Sequence, residues 1–321
     1  MAPSVDCPVS SPSTSSSPVS LPPKAEKQIA VNVVEITEED PLDHERTRLR
    51  RHLGLAIPGE QCTTPQTPPL FFIERVPDTK HLKCKLPGCT EGIEPGDLRL
   101  ALNPGMGEQT WFRSSSDYYH IPCFERLADL SDPAYLNRIQ PLTRHTFKLR
   151  GLKASSVLDG SYLVSGGVER LILEWKITRG MAIEKRDGVL TDEAGRYALD
   201  ADVYDLLYRA GEAGYWPPSE RPGGLDQYEY YVLLRMLAPN ECDRAGTGWN
   251  LFEAFLGDAE EGLGGRHDLS AMLRRWEGAV SLAWKGARDG VKVEGEQALD
   301  AMAVRAIRRL SIIPKPQAGF N

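Results

Sequence analysis

The chain has 321 residues, of which 26% are charged and 41% hydrophobic, with a formal net charge of −7 and a pI near 5.5. That acidic balance excludes a polybasic nucleic-acid coat, so any DNA contact has to come from a local cluster. No apolar run reaches the roughly 18 residues that a transmembrane helix needs, and the length has room for two domains without requiring them.

In chain order, residues 1–24 are Ser- and Pro-rich and cannot bury enough apolar surface to offset ordering entropy. They are expected to be disordered and removable without loss of fold. IAVNVVEI at 29–36 is a short β-prone run. Asp40-Pro41 then reads as an N-cap with Pro at the first helical position, opening a helix that runs to about Leu53 and stops at Gly54. Its Arg46, Arg48, Arg50 and Arg51 suggest either a weak phosphate or import patch or a solvated face, the second being the commoner use of such a run. A Pro-rich linker follows at 58–69.

The stretch 81–127 carries the chemistry. Cys84 and Cys89 form a C-x4-C knuckle, His120 and Cys123 an H-x2-C pair, and 30 residues lie between the two pairs. A structural Zn²⁺ takes four N/S ligands at tetrahedral corners, and two close pairs joined by an insert supply them. His81 competes for the histidine position, at the cost of the H-x2-C pair. Three clustered cysteines cannot make two disulfides, and the N-terminus lacks the basic start and apolar run of a secretory signal. A reducing compartment is therefore expected, where such clusters point to metal, with unliganded core thiols as the alternative. LFFIERV (70–76), DLRLAL (97–102) and TWFR (110–113) read as strands, NPGMG as a turn, and 122–130 as a short helix starting at Pro122. Phe72, Leu98, Leu100, Phe124 and Leu127 are the expected core, small enough to need a metal staple.

This segment, about 80–130, resembles the PARP-type zinc finger family. The resemblance rests on the Cys-Cys…His-Cys order, the run Ile93–Leu100 of the type "I..G.LR", and the ending Tyr118, Tyr119, His120, Ile121, Pro122, Cys123, Phe124. The chain departs from the family in its four-residue first spacing, where two is usual, and in Tyr118, where Trp is common. The resemblance implies zinc bound by Cys84, Cys89, His120 and Cys123, a nuclear location, and recognition of DNA ends or strand breaks. Arg99 matches the family's Arg in the strand after the second Cys and is implied to pair with phosphate. The loop bearing Met106 and Trp111 is implied to stack on a terminal base pair. Trp111 also reads as a core residue of the third strand.

Residues 132–321 read as mainly helical, with segments at 162–176, 202–210, 227–237, 249–256, 270–287 and 297–310. Leu273, Trp276, Val280 and Trp284 form a 3.6-residue stripe expected in the core. Arg274, Arg275, Arg305, Arg308 and Arg309 are expected on outer faces, and His145 and His267 at the surface or in caps. No phosphate loop, nucleophile elbow, metalloprotease or dinucleotide motif is present, and no ADP-ribosyltransferase signature. The expected architecture is α+β: residues 1–65 mostly disordered, 66–131 a zinc-stapled finger, and 132–321 a mainly helical domain. Two functions fit this order. One is a nuclear DNA-binding protein, and the other a protein–protein adaptor whose zinc is purely structural; an enzyme is not expected.

Overall fold

The Asp40-Pro41 signal opens a helix as expected. α1 spans Pro41–His52, and the Asp40 carboxylate accepts the Leu42 amide at 3.0 Å. It stops at Gly54, whose φ of 68° suits a residue without Cβ, and the Gly54 and Leu55 amides fold back onto the Arg51 and Arg50 carbonyls. Several arginines of α1 are clamps rather than a free patch. Arg46 donates to the Arg126 carbonyl, Arg48 to Met106 and Arg50 to Ala56. Leu49 and Leu53 are buried beneath them.

The centre is a four-stranded sheet in the order β5-β4-β1-β6, made of β1 (Leu70–Arg75), β4 (Leu98–Asn103), β5 (Asp117–Tyr119) and β6 (Ile139–Pro141). β1, β4 and β5 are antiparallel, while β6 runs parallel to β1. A two-stranded ribbon, β2 (Leu82–Lys83) with β3 (Gly92–Ile93), stands beside it. Strand residues alternate between faces with period 2, and here both faces are buried. Phe71, Ile73, Leu98, Leu100, Leu102 and Tyr119 join the principal core. Phe72 and Ala101 face a second core with Leu142, Phe147, Val157 and Leu163. Residues 142–163, mostly turns with one 3₁₀ turn at Ala154–Ser156, cover that face. They are tied down by Leu142 N–H to the Ile73 carbonyl and Arg75 N–H to the Tyr162 carbonyl.

The helical layer lies on the principal face. It comprises α2 (Ile121–Glu125), α3 (Pro133–Leu136), α4 (Gly166–Arg186), α5 (Leu251–Leu256), α6 (Leu269–Asp289) and α7 (Ala301–Leu310). α4 is buried nearly all round. Its first residues are Gly166 and Gly167 because Leu237 and the Trp276 ring sit where their Cβ atoms would go. Lys176 of α4 donates to the Ile139 carbonyl at 2.6 Å, satisfying an acceptor of the edge strand β6. Burial lowers that ammonium's pKa to about 8. A hairpin, β7 (Asn240–Cys242) with β8 (Gly248–Asn250), is held against α7 by Arg309, which donates to the Met236, Ala238 and Asn240 carbonyls.

The computed structural model describes residues 40–57, 59, 69–78, 82–106, 116–189, 232, 236–244, 246–256, 269–289 and 299–316. The expectations for 1–24, 29–36, 110–113, 202–210, most of 227–237, and for His81, Trp111 and His267, lie outside these residues. Within them the chain is α+β. The principal core is continuous from Phe71 and Leu100 to Trp276 and Leu310, so it is not the small finger core expected for 66–131. Three further expectations are corrected. Trp284, placed in the core stripe, is 53% exposed, with Arg308 over its ring and its indole N–H on Ser311. Arg275 and Arg308 are not free on outer faces but donate to the Phe255 and Ala283 carbonyls. His145 is mostly buried rather than at the surface, and burial pushes its pKa down to about 3. Among the described residues, no helix is long and apolar enough to cross a membrane.

Candidate metal centre

The two ligand pairs come from different local structures that the sheet brings together. Cys84 leaves β2, and Cys89 sits after the Pro87-Gly88 turn, with Gly88 at φ 78° and the Cys89 amide on the Leu86 carbonyl. The Lys85 amide donates to the Tyr118 carbonyl of β5 at 2.9 Å, which docks the knuckle on the strand that leads to His120. His120 is the N-cap residue of α2, and Cys123 lies in its first turn behind Pro122. A ligand at a strand end and a ligand in a helix's first turn are both held by backbone hydrogen bonds.

One ligand atom from each of Cys84, Cys89, His120 and Cys123 lies within 4.8 Å of all the others. Cys89 Sγ is 3.5 Å from His120 Nδ1, Cys123 Sγ is 3.7 Å from the same nitrogen, and the two sulfurs are 3.8 Å apart. For tetrahedral zinc with bonds of about 2.3 Å to sulfur and 2.0–2.1 Å to nitrogen, the ligand edges are about 3.8 Å (S···S) and about 3.5 Å (S···N). The donor set fits. All three cysteines are free thiols, which removes the disulfide alternative for them.

The surroundings prepare the donors. His120 Nε2 lies 3.0 Å from the Gly92 carbonyl, so the ring proton belongs on Nε2 and Nδ1 keeps its lone pair for a metal. Burial raises the Cys84 thiol pKa, opposed by hydrogen bonds from the Leu86 and His120 amides, which favour the thiolate. Burial, with the neighbouring cysteines, pushes Cys123 up to about 12. The metal-free site therefore holds protons on these thiols at neutral pH, and a metal must displace them. Metal uptake should release protons, and apparent affinity should fall as pH is lowered. Titration in a weakly buffered indicator solution measures this directly; uptake without proton release would contradict the thiolate assignment.

The residues implied in DNA contact sit elsewhere than the resemblance suggested. Arg99 is 0% exposed on the second face of the sheet. Its guanidinium pairs with Glu74 through Nε at 2.9 Å and through Nη2, and lies 4.0 Å over the Tyr118 ring. Arg150 holds the other Glu74 oxygen at 3.1 Å. Arg99 is therefore a core ion-pair member and presents nothing to a phosphate backbone. Met106 is also buried, at 6%, with its amide on Asp117 and its carbonyl on Arg48. Trp111 lies outside the described residues.

Two contacts, one in the site and one just beyond it, had no signature in the sequence. One is the Gly92 carbonyl, a backbone atom placed only by the pairing of β2 with β3. The other is Glu125, two residues after Cys123, whose carboxylate reaches Ser270, 145 residues away. Comparison with known proteins finds no matching family model, and no curated protein or solved structure that matches the chain.

Proposed function

We propose that this is a non-catalytic, zinc-stapled interaction protein: the metal is zinc, its role is structural, and a protein partner binds the folded body. The observation that supports this reading is the burial of Arg99 in an ion pair with Glu74 and Arg150. The contact that would grip a phosphate is used inside the fold, and Met106 is pinned inward as well. A DNA-binding, nuclear protein is the second reading. It is favoured by Lys83 and Lys85, exposed on either side of Cys84, and by the finger-like ligand order.

The deciding experiment titrates the zinc-loaded full chain with nicked, blunt-ended and intact duplex at moderate salt. The interaction reading expects no preference for broken DNA and the same shallow salt dependence for wild type and Lys83→Ala/Lys85→Ala. Neutralising one phosphate contributes about 0.9 to the slope of log K against log salt. A clear preference for nicked or ended duplex, with a slope that falls by about two in the lysine variant, would replace the interaction reading with the DNA reading.

A further inference from the structure

α2 is five residues long, too short to hold its own conformation in water. Besides the Arg46 clamp on its C-cap carbonyl, three attachments hold it. At its start, His120 and Cys123 converge with Cys84 and Cys89. In its middle, Phe124 is fully buried, edge-on to Phe71 at 4.8 Å and Tyr119 at 5.4 Å between ring centroids. At its end, the Glu125 carboxylate accepts both donors of Ser270: the amide at 3.0 Å and the hydroxyl at 2.7 Å. Ser270 is 6% exposed in the first turn of α6. The first four amides of a helix have no partner within it, and a carboxylate placed there also meets the positive end of the helix dipole. Glu125 thus caps a 21-residue helix from outside its own sequence neighbourhood. α6 in turn places Trp276 against Gly167 of α4 and edge-on to Phe255 at 5.4 Å.

We propose that Glu125 transmits occupancy of the metal site to α6, so that zinc binding and docking of the helical layer are one coupled event. This rests on the zinc reading above. Without the metal, α2 loses the attachment at its start. The Glu125 carboxylate is then no longer held against Ser270, and the first turn of α6 loses that contact. Coupling between two sites is reciprocal: if zinc strengthens the Glu125–Ser270 contact, then weakening that contact must weaken zinc binding by the same factor. Ser270 is not a ligand and stands on a different helix, so a purely local metal site would not respond to it.

The test measures zinc affinity of the full-length chain by competition with a chromophoric chelator, for wild type, Ser270→Ala and Glu125→Gln. Far-UV circular dichroism checks the fold. Ser270→Ala is expected to bind zinc about fivefold or more weakly, within the usual range of coupling energies. Hydrogen exchange in the zinc-loaded variant is expected to rise in the first turn of α6 and to stay at the wild-type level in 82–93. Glu125→Gln keeps the shape and loses the charge, and it should shift affinity in the same direction; it carries the test if Ser270→Ala does not fold. Wild-type affinity in the folded variants overturns the coupling. A wild-type chain that takes up no zinc overturns the metal reading instead, so the two failures are distinguishable.

Discussion

Protein carrying Cys123→Ser should purify without zinc and lose most of its stability, whereas wild type should carry about one zinc per chain, as a closed four-ligand site requires. Removing one ligand leaves three donors around a position where the edges between ligand atoms already match tetrahedral zinc, with Sγ–Sγ 3.8 Å and Sγ–Nδ1 3.5 Å. Structural zinc in small finger peptides is worth on the order of 10–16 kcal/mol at neutral pH. A whole domain is stable by only about 5–15 kcal/mol. The loss here is tempered because β1, β4 and β5 are also held by a core that extends to Trp276 and Leu310. The expected outcome is therefore a melting temperature lowered by tens of degrees, with the ribbon β2–β3 and α2 the first to open. Elemental analysis with thermal melting checks both halves. A full complement of zinc in Cys123→Ser would remove Cys123 from the ligand set. An unchanged melt in zinc-free wild type would remove the structural role.

Glu74→Ala should cost about 3–5 kcal/mol, the usual consequence of removing one member of a buried ion-pair cluster. Glu74 is the common carboxylate of Arg99 and Arg150, and all three side chains are at most 5% exposed. Taking it away leaves two guanidinium groups facing each other under the 142–163 cover, with no solvent to screen them. Arg99→Met should cost less, because Glu74 keeps Arg150 and the apolar side chain can fill space beside Tyr118. Denaturant melts of Glu74→Ala, Arg99→Met and the double variant give the coupling between them. The double variant is expected to recover part of the Glu74→Ala loss. Equal and additive losses would show that the pair is not energetically linked, and an Arg99→Met effect on DNA affinity without any loss of stability would return Arg99 to the surface role that the family resemblance implied.

Residues 40–54 were legible because their signals are local. An Asp-Pro start and a Gly stop act on amides and φ angles within one turn, and no distant contact overrides them here. The Cys/His cluster was legible for a similar reason: knuckle and helix-start spacings set the geometry of Cys84, Cys89, His120 and Cys123 pair by pair, and the sheet had only to bring two ready pairs together. β1 and β4 were readable from apolar runs, but not which side of the sheet each residue faces. Phe72 and Arg99 both look like finger residues in the sequence, and both prove to lie on a second buried face, because 142–163 folds back over it. Nothing in that turn-rich segment announces a cover, and a strand with one solvated face and a strand buried on both can carry the same short pattern. Likewise, the period of α6 places Trp284 with Trp276, yet only Trp276 has α4 beside it; periodicity defines a face, and neighbours decide how far along it burial extends. The continuous core, the parallel edge strand β6, the Arg46 and Arg48 clamps and the Glu125 cap on α6 all depend on atoms brought together across long stretches of chain, such as the 145 residues between Glu125 and Ser270. Those contacts have no local free-energy signature to read, so only the tertiary structure could decide them.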